Sequence, residues 1–273
     1  CWLIRKRTKY EYKVAVVITI LYTVFNLGSS LVGLYVIGKT AFVKYSSSLL
    51  SSILIYGIFY LSDICNVKSL YGKKKEIKDQ WCFMIKFEGP LVLHSLSYLI
   101  LNQADRVMIG KMVGNAEAAY YSIAYNLATV IILFQNSVNQ TLLPWRYQML
   151  EKKNYKEIKY NTNILLGAFA CVILIFILLA PEIMKILFTS NYYEAIWCIP
   201  PISVGVFFMF LYTVFVNIET YFEVTKYIMY VSVTCGLINI GLNYLGIIFF
   251  DYISCAYVTL FSYILFGLGH YYF

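Results

Sequence analysis

The chain has 273 residues, of which 60% are hydrophobic and 13% are charged, and its mean hydropathy is +0.69. A soluble domain carries roughly twice that charged fraction, so the composition excludes an ordinary soluble protein. Apolar runs recur along the whole chain, each long enough for the ~20 residues that a helix needs to cross a bilayer. The sequence therefore predicts an all-α, multi-spanning transmembrane helical bundle.

Eight apolar runs are candidate membrane spans, separated by polar segments or by segments that contain Pro or Gly. In chain order they cover residues 14–36, 41–63, 89–109, 118–142, 162–180, 195–217, 227–249 and 252–273. Pro90 is predicted at a helix start and Pro144 and Pro181 at helix ends. Pro200 and Pro201 are expected to bend the start of the sixth span. A transmembrane β-barrel would show alternating strands of about ten residues, so these longer runs favour helices.

The 22 Lys and Arg residues divide unequally between the two sets of loops that alternating spans create. Seventeen lie on one side, in residues 1–13, 64–88 and 143–161 and at Lys226, and five lie on the other. Basic residues concentrate in the cytoplasmic loops of membrane proteins, so the first set is predicted to be cytoplasmic. Topology and contact with anionic lipid headgroups account for the net charge of +8, and no nucleic-acid partner is expected.

No residue pattern in the chain indicates a reactive or metal centre. The seven cysteines have neither CxxC nor metal-ligand spacing, and we expect small buried hydrophobic residues there. The sequence has no GxSxG, HExxH, P-loop or DxD pattern, and its two histidines are His94 and His270. We therefore expect a protein that is not an enzyme and that has no metal site and no cofactor.

Four predicted spans carry polar or small residues at helical spacing along one face. These stripes are Thr19, Thr23, Asn26 and Ser30; His94, Tyr98, Asn102 and Asp105; Ser122, Asn126, Thr129, Asn136 and Gln140; and Ser232, Gly236, Asn239 and Asn243. Polar groups that faced lipid would be unsatisfied, so each stripe is predicted to face protein or water. One interpretation is hydrogen bonding between packed helices, worth ~0.6 kcal/mol each. The other is the lining of a hydrated interior, which the presence of four stripes favours.

The candidate substrate-binding or cavity-lining residues come from these stripes. They are Asn26, His94, Asn102, Asp105, Asn126, Asn136, Gln140, Asn239 and Asn243. Asp105 lies beside Arg106 near the outer end of the third span. Two interpretations of Asp105 stay open: an interfacial ion pair with Arg106, which is favoured, or a carboxylate coupled to a cation in the cavity. Glu219 and Glu223, at the inner end of the sixth span, are expected to be solvated.

One stretch of the chain resembles a known family of transporters. The stretch from Pro90 to Asn126 reads PLVLHSLSYLILNQADRVMIGKMVGNAEAAYYSIAYN. It resembles the start of the second half of bacterial polysaccharide flippases, which belong to the multidrug/oligosaccharidyl-lipid/polysaccharide exporter superfamily. The elements that carry the resemblance are Pro90, Asp105, Arg106, Ile109, Gly114, Ala119, Tyr120 and the run 122–125. Residues 238–244 resemble the family's eleventh span, and residues 187–195 resemble its outer loop before the tenth span.

The resemblance implies an architecture. Residues 88–273 would be the second six-helix bundle, helices seven to twelve. Residues 1–87 would hold the last two helices of the first bundle and a basic loop between the bundles. The chain is then expected to be part of a longer protein in which two bundles face each other across a central cavity. Rocking of the two halves would give alternating access to that cavity.

The resemblance also implies a function. The expected substrate is a lipid-linked oligosaccharide, an undecaprenyl-pyrophosphate glycan, moved across the bacterial cytoplasmic membrane for cell-surface polysaccharides such as O-antigen, lipopolysaccharide or exopolysaccharide. The expected partners are this substrate, the bilayer, a coupling cation and membrane proteins of glycan assembly. The alternatives are a multidrug/cation antiporter of the same superfamily and, less favoured, a membrane oligosaccharide polymerase.

The distribution of basic residues makes the topology testable, because residues 65–87 and 145–160 are predicted to be cytoplasmic. In a cysteine-free background, Lys74→Cys should resist an impermeant thiol reagent applied to intact cells and react after permeabilisation. Lys185→Cys, on the predicted outer side, is the matched control and should react in intact cells. Labelling of Lys74→Cys from outside would contradict the predicted orientation.

Overall fold

The computed structural model describes residues 12–38, 40–65 and 74–272. Within these residues the chain forms eight α-helices and one 3₁₀ helix, without any strand. The α-helices are α1 Tyr12–Val36, α2 Ala41–Cys65, α3 Lys74–Met112, α4 Asn115–Glu151, α5 Tyr155–Leu187, α6 Ile199–Tyr221, α7 Thr225–Phe249 and α8 Ser254–Tyr271, and the 3₁₀ helix covers Ser190–Cys198. The predicted all-α class and the eight predicted helices are confirmed.

Most of these helices are suited to a bilayer. Six segments of the described chain are long and apolar enough to cross a membrane, namely Val16–Val36, Phe42–Leu61, Asn115–Glu151, Tyr155–Leu187, Ser190–Tyr221 and Thr225–Phe249. Helices α3 and α8 are outside this set, so their crossing of the membrane stays a prediction. Large apolar side chains such as Leu178 and Ile186 on α5 are exposed, as lipid-facing positions require.

Three prolines lie inside helices, although the sequence predicted a helix start at Pro90 and helix ends at Pro144 and Pro181. Helix α3 begins at Lys74 rather than at residue 89 and continues through Pro90, while α4 and α5 continue through Pro144 and Pro181. A proline removes only one N–H donor and crowds one carbonyl, and neighbouring groups can satisfy that carbonyl in a membrane helix. Pro200 and Pro201 lie in the first turn of α6, as expected. Residues 74–88 and 143–151, which the sequence predicted as polar loops, are therefore helical.

The chain divides into two compact units, and the boundary between Lys78 and Asp79 falls inside α3. The predicted division after residue 87 stays a prediction. In the first unit, α1 and α2 are joined by hydroxyl and amide contacts, such as Ser29 Oγ to Ser51 Oγ at 2.7 Å. Asn26 belongs to this interface, since its Nδ2 donates to Ser48 Oγ at 2.8 Å.

Helix α6 lies at the centre of the second unit and packs most extensively against α8. The core of this unit is apolar, and its aromatic contacts include Phe169 stacked on Phe210 with ring centroids 4.3 Å apart. Cys198, Cys235 and Cys255 are buried as expected, whereas Cys82 and Cys171 are exposed, which corrects the expectation for those two. Thiols are apolar enough to face lipid as well as a protein core.

The close approach of α6 and α8 depends on Gly205. A Cβ atom at this position would lie 3.1 Å from Tyr263 Cδ2 and 3.5 Å from Leu260 Cα. Gly205→Ile should therefore lower the free energy of unfolding by about 1–3 kcal/mol through overpacking. Gly241→Ile on α7 is the control, because a Cβ there would meet nothing within 4 Å. Thermal unfolding in detergent measures the difference, and equal midpoints would contradict the tight α6–α8 contact.

Candidate functional site

Polar side chains inside the second unit lie in three successive layers between its helices. We call this set the polar column. The first layer contains Asp105, Tyr121, Asn243 and Thr259, the second Asn102, Tyr125 and Tyr263, and the third His94, Tyr212 and Ser232. Helix α3 supplies a member to every layer, because its polar residues repeat at helical spacing. The column therefore runs along one face of α3.

The first layer surrounds the carboxylate of Asp105, which is 0% exposed. Its Oδ2 accepts hydrogen bonds from the Tyr121 hydroxyl at 2.5 Å and the Thr259 hydroxyl at 2.6 Å. Its Oδ1 accepts from Asn243 Nδ2 at 2.6 Å. Four helices, α3, α4, α7 and α8, thus meet at a single carboxylate. Buried charges persist in proteins only with such compensation.

The amide of Asn243 extends this layer and leaves one atom unused. Its Nδ2 also donates to Asn239 Oδ1 at 3.1 Å, and Asn239 Nδ2 donates to Ser262 Oγ at 3.0 Å. The Oδ1 of Asn243 is buried and has no hydrogen-bond partner. An acceptor oxygen is therefore free beside the carboxylate of Asp105.

The favoured interpretation of Asp105 as an interfacial ion pair with Arg106 is wrong. Among the described residues no ion pair joins these two side chains, and the Arg106 guanidinium instead lies 4.4 Å from the centroid of the Tyr125 ring. Adjacent residues on a helix point in directions about 100° apart. Asp105 points into the bundle, so the side chain of Arg106 must point in a different direction around α3.

The second layer is centred on the side chain of Asn102. Its Oδ1 accepts from the Tyr263 hydroxyl at 2.8 Å and also from the Tyr125 hydroxyl, and its Nδ2 donates to the Tyr98 carbonyl at 2.6 Å. The amide oxygen thus joins α3 to α4 and α8. These contacts correspond to the interpretation of the stripe as hydrogen bonding between packed helices.

The third layer uses both ring nitrogens of His94. Ser232 Oγ donates to the Ile228 carbonyl at 2.6 Å, so it can only accept from His94 Nδ1, which lies 2.5 Å away. The Nδ1 atom must then carry the hydrogen, and Nε2 is left to accept from the Tyr212 hydroxyl at 3.1 Å. A neutral imidazole satisfies both contacts, so His94 has no capacity left for a ligand in this arrangement.

The predicted site residues do not all come together. Five of them, namely His94, Asn102, Asp105, Asn239 and Asn243, lie in the polar column or in direct contact with it. Asn126, Asn136 and Gln140 are exposed on the surface of the second unit, on a face of α4 away from the buried Tyr121, Tyr125 and Gln135. Asn26 lies in the first unit. The predicted set therefore separates into three locations.

Sequence reasoning missed the pair Glu219 and His270. Glu219, which we expected to be solvated, is 1% exposed, and its Oε2 lies 2.7 Å from His270 Nδ1. The expectation failed because α6 continues to Tyr221, which places Glu219 in its last turn against α8. A signal was present in α8, where Thr259, Tyr263 and His270 repeat at helical spacing. Glu223 is exposed, as expected.

Arg146 was also missed, because it was assigned to a basic cytoplasmic loop. It is 1% exposed on α4, its Nη1 donates to Asn139 Oδ1 at 3.3 Å, and Asn217 of α6 donates to the same oxygen at 2.8 Å. Helix α4 runs past Pro144 to Glu151, so Arg146 packs within the bundle. The second unit thus contains a buried basic residue that hydropathy alone did not indicate.

Two family models match the chain. The polysaccharide biosynthesis protein family matches residues 8–150, and the MatE family matches residues 90–245, each more than half of the chain. A curated relative, protein 1 of the Lsg locus of Haemophilus influenzae, is 25% identical over 99 residues. These residues are 35% of this chain and 25% of that protein.

Solved structures of MATE proteins have a similar fold. A MATE point mutant, at 12% identity, and a MATE protein in the bent conformation, at 13%, both superpose with a TM-score of 0.71. An outward-facing multidrug resistance MATE family transporter of the MOP superfamily has the same score at 13% identity. The first two comparisons cover 94% of this chain and 60% of the other, so the chain spans less than two thirds of these proteins.

At these identities the structural likeness concerns the fold alone, whereas the family matches concern the sequence itself. The exporter superfamily that the stretch after Pro90 resembles is therefore confirmed. The chain belongs to the polysaccharide biosynthesis protein family of the multidrug/oligosaccharidyl-lipid/polysaccharide exporter superfamily, and it is a multi-pass membrane protein.

Proposed function

We propose that the protein translocates a lipid-linked oligosaccharide, an undecaprenyl-pyrophosphate glycan, across the bacterial cytoplasmic membrane for the synthesis of a cell-surface polysaccharide. The match of residues 8–150 to the polysaccharide biosynthesis protein family carries this proposal. Translocation breaks no covalent bond. It needs a hydrated path for the sugar and the pyrophosphate, while the lipid tail stays in the bilayer.

The exposed face of α4 supports such a path. Asn126 and Asn136 are exposed polar residues on a helix that is apolar enough to cross the membrane. Amide groups facing lipid would lack hydrogen-bond partners, so this strip of α4 requires water or protein beside it. Val130 and Phe134, also exposed, form an adjacent apolar strip that suits lipid. The exposed Leu133 lies between the two asparagines around the helix, so the polar strip is interrupted. Exposed amides beside apolar side chains are expected at the edge of a hydrated cavity.

The first layer of the polar column offers ligands to a coupling cation. Hard cations prefer carboxylate, amide and hydroxyl oxygens. Asp105, Asn243 and Thr259 supply one of each, and the Oδ1 of Asn243 has no partner. We infer that Asp105 holds the cation whose gradient drives transport. Binding would require the three donors on the carboxylate to turn away, which couples cation binding to the packing of α4, α7 and α8.

A multidrug/cation antiporter is the second candidate, and the match of residues 90–245 to the MatE family favours it. The two candidates share the fold and the need for a coupling ion and differ in substrate. Surface polysaccharide and drug tolerance therefore distinguish them when both are measured in the same gene-deletion strain.

Restoring the gene to a deletion strain should restore surface polysaccharide and leave drug tolerance unchanged. Asp105→Asn should reduce export at least tenfold at an unchanged protein level, because the amide can keep the Tyr121 and Thr259 bonds but loses the charge. Glu223→Gln, which neutralises an exposed carboxylate, is the control and should export normally. Restored drug tolerance without restored polysaccharide would favour the antiporter, and full export by Asp105→Asn would remove Asp105 from the coupling site.

The accessibility of α4 tests the hydrated path. With single cysteines in a cysteine-free background, Asn126→Cys and Asn136→Cys should react with a water-soluble thiol reagent much faster than Val130→Cys. Along the axis of α4, Val130 lies between the two asparagines, but it belongs to the apolar strip. It therefore controls for distance from the membrane surface. Equal reaction rates at the three positions would contradict the proposal that the polar strip lines water.

A further inference from the structure

The pair Glu219 and His270 joins the last turn of α6 to the last turn of α8. The residues are 1% and 2% exposed, and His270 Nδ1 lies 2.7 Å from Glu219 Oε2. Among the described residues, Glu219 and Asp105 are the only buried acidic side chains. Neither the proposed translocation path nor the cation site at Asp105 uses this pair.

Half of the hydrogen-bonding capacity of this pair is unused. The Oε1 of Glu219 and the Nε2 of His270 are both buried and have no hydrogen-bond partner. His94, the other histidine of the chain, has partners on both ring nitrogens. Buried polar atoms are rarely left without a partner unless water, an ion or a functional role accounts for them. The amide of the buried Gln135 also lacks partners on both atoms, so what distinguishes the Glu219–His270 pair is that its free atoms belong to an acid and a base in direct contact.

The charge balance of the pair selects a proton as its ligand. With one proton shared, the pair has no net charge, whether the proton is on the carboxylate or makes the imidazole cationic. Loss of that proton leaves a net charge of minus one, and gain of a second leaves plus one. An uncompensated charge in a buried site is strongly unfavourable. The pair therefore keeps one proton while it is buried, and it can exchange that proton only when water reaches it.

Among the described residues no Lys or Arg forms an ion pair with Glu219, and Lys226, which follows in the chain, is exposed. Tyr212 of α6 has its ring 5.2 Å from that of His270, and Tyr227 of α7 has its ring at 6.3 Å with its hydroxyl bonded to the Gly269 carbonyl. His94 of α3 is linked through the Tyr212 hydroxyl. Arg146 of α4 contacts α6 through Asn139 and Asn217, and Asn217 lies about 200° around the helix from Glu219.

We propose that Glu219 and His270 form a proton-binding site that loads or releases one proton when the ends of α6 and α8 open to water. Glu219 lies in the last turn of α6, shortly before Lys226 in the chain, at the end of the bundle that the basic residues predict to be cytoplasmic. Opening and closing of this end would thus exchange the proton with the cytoplasm. The part of the proposal that links this proton to transport rests on the proposed function.

Spectroscopy tests the proton site without any transport assay. The chain has two histidines, so ¹⁵N-histidine labelling gives two sets of imidazole signals, and His94→Gln identifies those of His270. Labelled protein in lipid nanodiscs at pH 8 should show the shared proton, as an imidazolium signal of His270 or as an infrared band of a protonated carboxyl that Glu219→Gln removes. A neutral His270 beside an ionised Glu219 at that pH would overturn the proposal.

Export measurements test the link to transport. Glu219→Gln keeps an oxygen that can accept from His270 Nδ1, so it should fold, but it cannot share a proton. Its export should fall at least tenfold at an unchanged protein level, because the closed, buried pair is expected to need the shared proton, while Glu223→Gln exports normally. Full export by Glu219→Gln would overturn the link and leave the pair as a structural contact. Absence of export by the wild type would overturn the proposed function instead, and the spectroscopic result would then decide the proton site alone.

Discussion

A polar group inside a membrane helix needs a hydrogen-bond partner on the protein, because the hydrocarbon around it offers none. In the second unit this requirement brings helices together at particular side chains. Asp105 draws donors from α4, α7 and α8, and one turn away Asn102 takes hydroxyl groups from α4 and α8. Apolar packing alone would let these helices slide or rotate, whereas the paired polar groups determine their register.

The two buried carboxylates of the described chain satisfy this requirement in different ways. Asp105 is surrounded by neutral hydroxyl and amide donors, whose oxygens are also suitable ligands for a cation. Glu219 faces an imidazole, which is a base and can share a proton with it. Each site contains one buried acidic side chain, but the neighbouring groups differ. The site at Asp105 therefore suits a cation, and the site at Glu219 suits a proton.

The atoms that remain without partners are as informative as those that are paired. Asn243 Oδ1 lies beside Asp105, and Glu219 Oε1 and His270 Nε2 belong to one pair. The Oε1 and Nε2 atoms of Gln135 are also buried without partners, so a free atom alone does not identify a ligand site. The candidate ligand sites are those where a free atom and a buried acidic group occur together. His94 shows the opposite case, since both of its nitrogens are used and it serves mainly to join α3 to α6 and α7.

The sequence by itself determined the helical class, the number of helices and the stripes on α3 and α7, because these properties depend on composition and on the period of a single helix. Only the tertiary structure decided which helices those faces meet. Periodicity could not show that Asp105 turns away from Arg106 to three other helices, that Asn126 and Asn136 lie outside the packed core, or that α6 carries Glu219 against His270. The reason is physical: a helix specifies the directions of its own side chains, whereas burial and pairing depend on the neighbours that the whole chain brings to them.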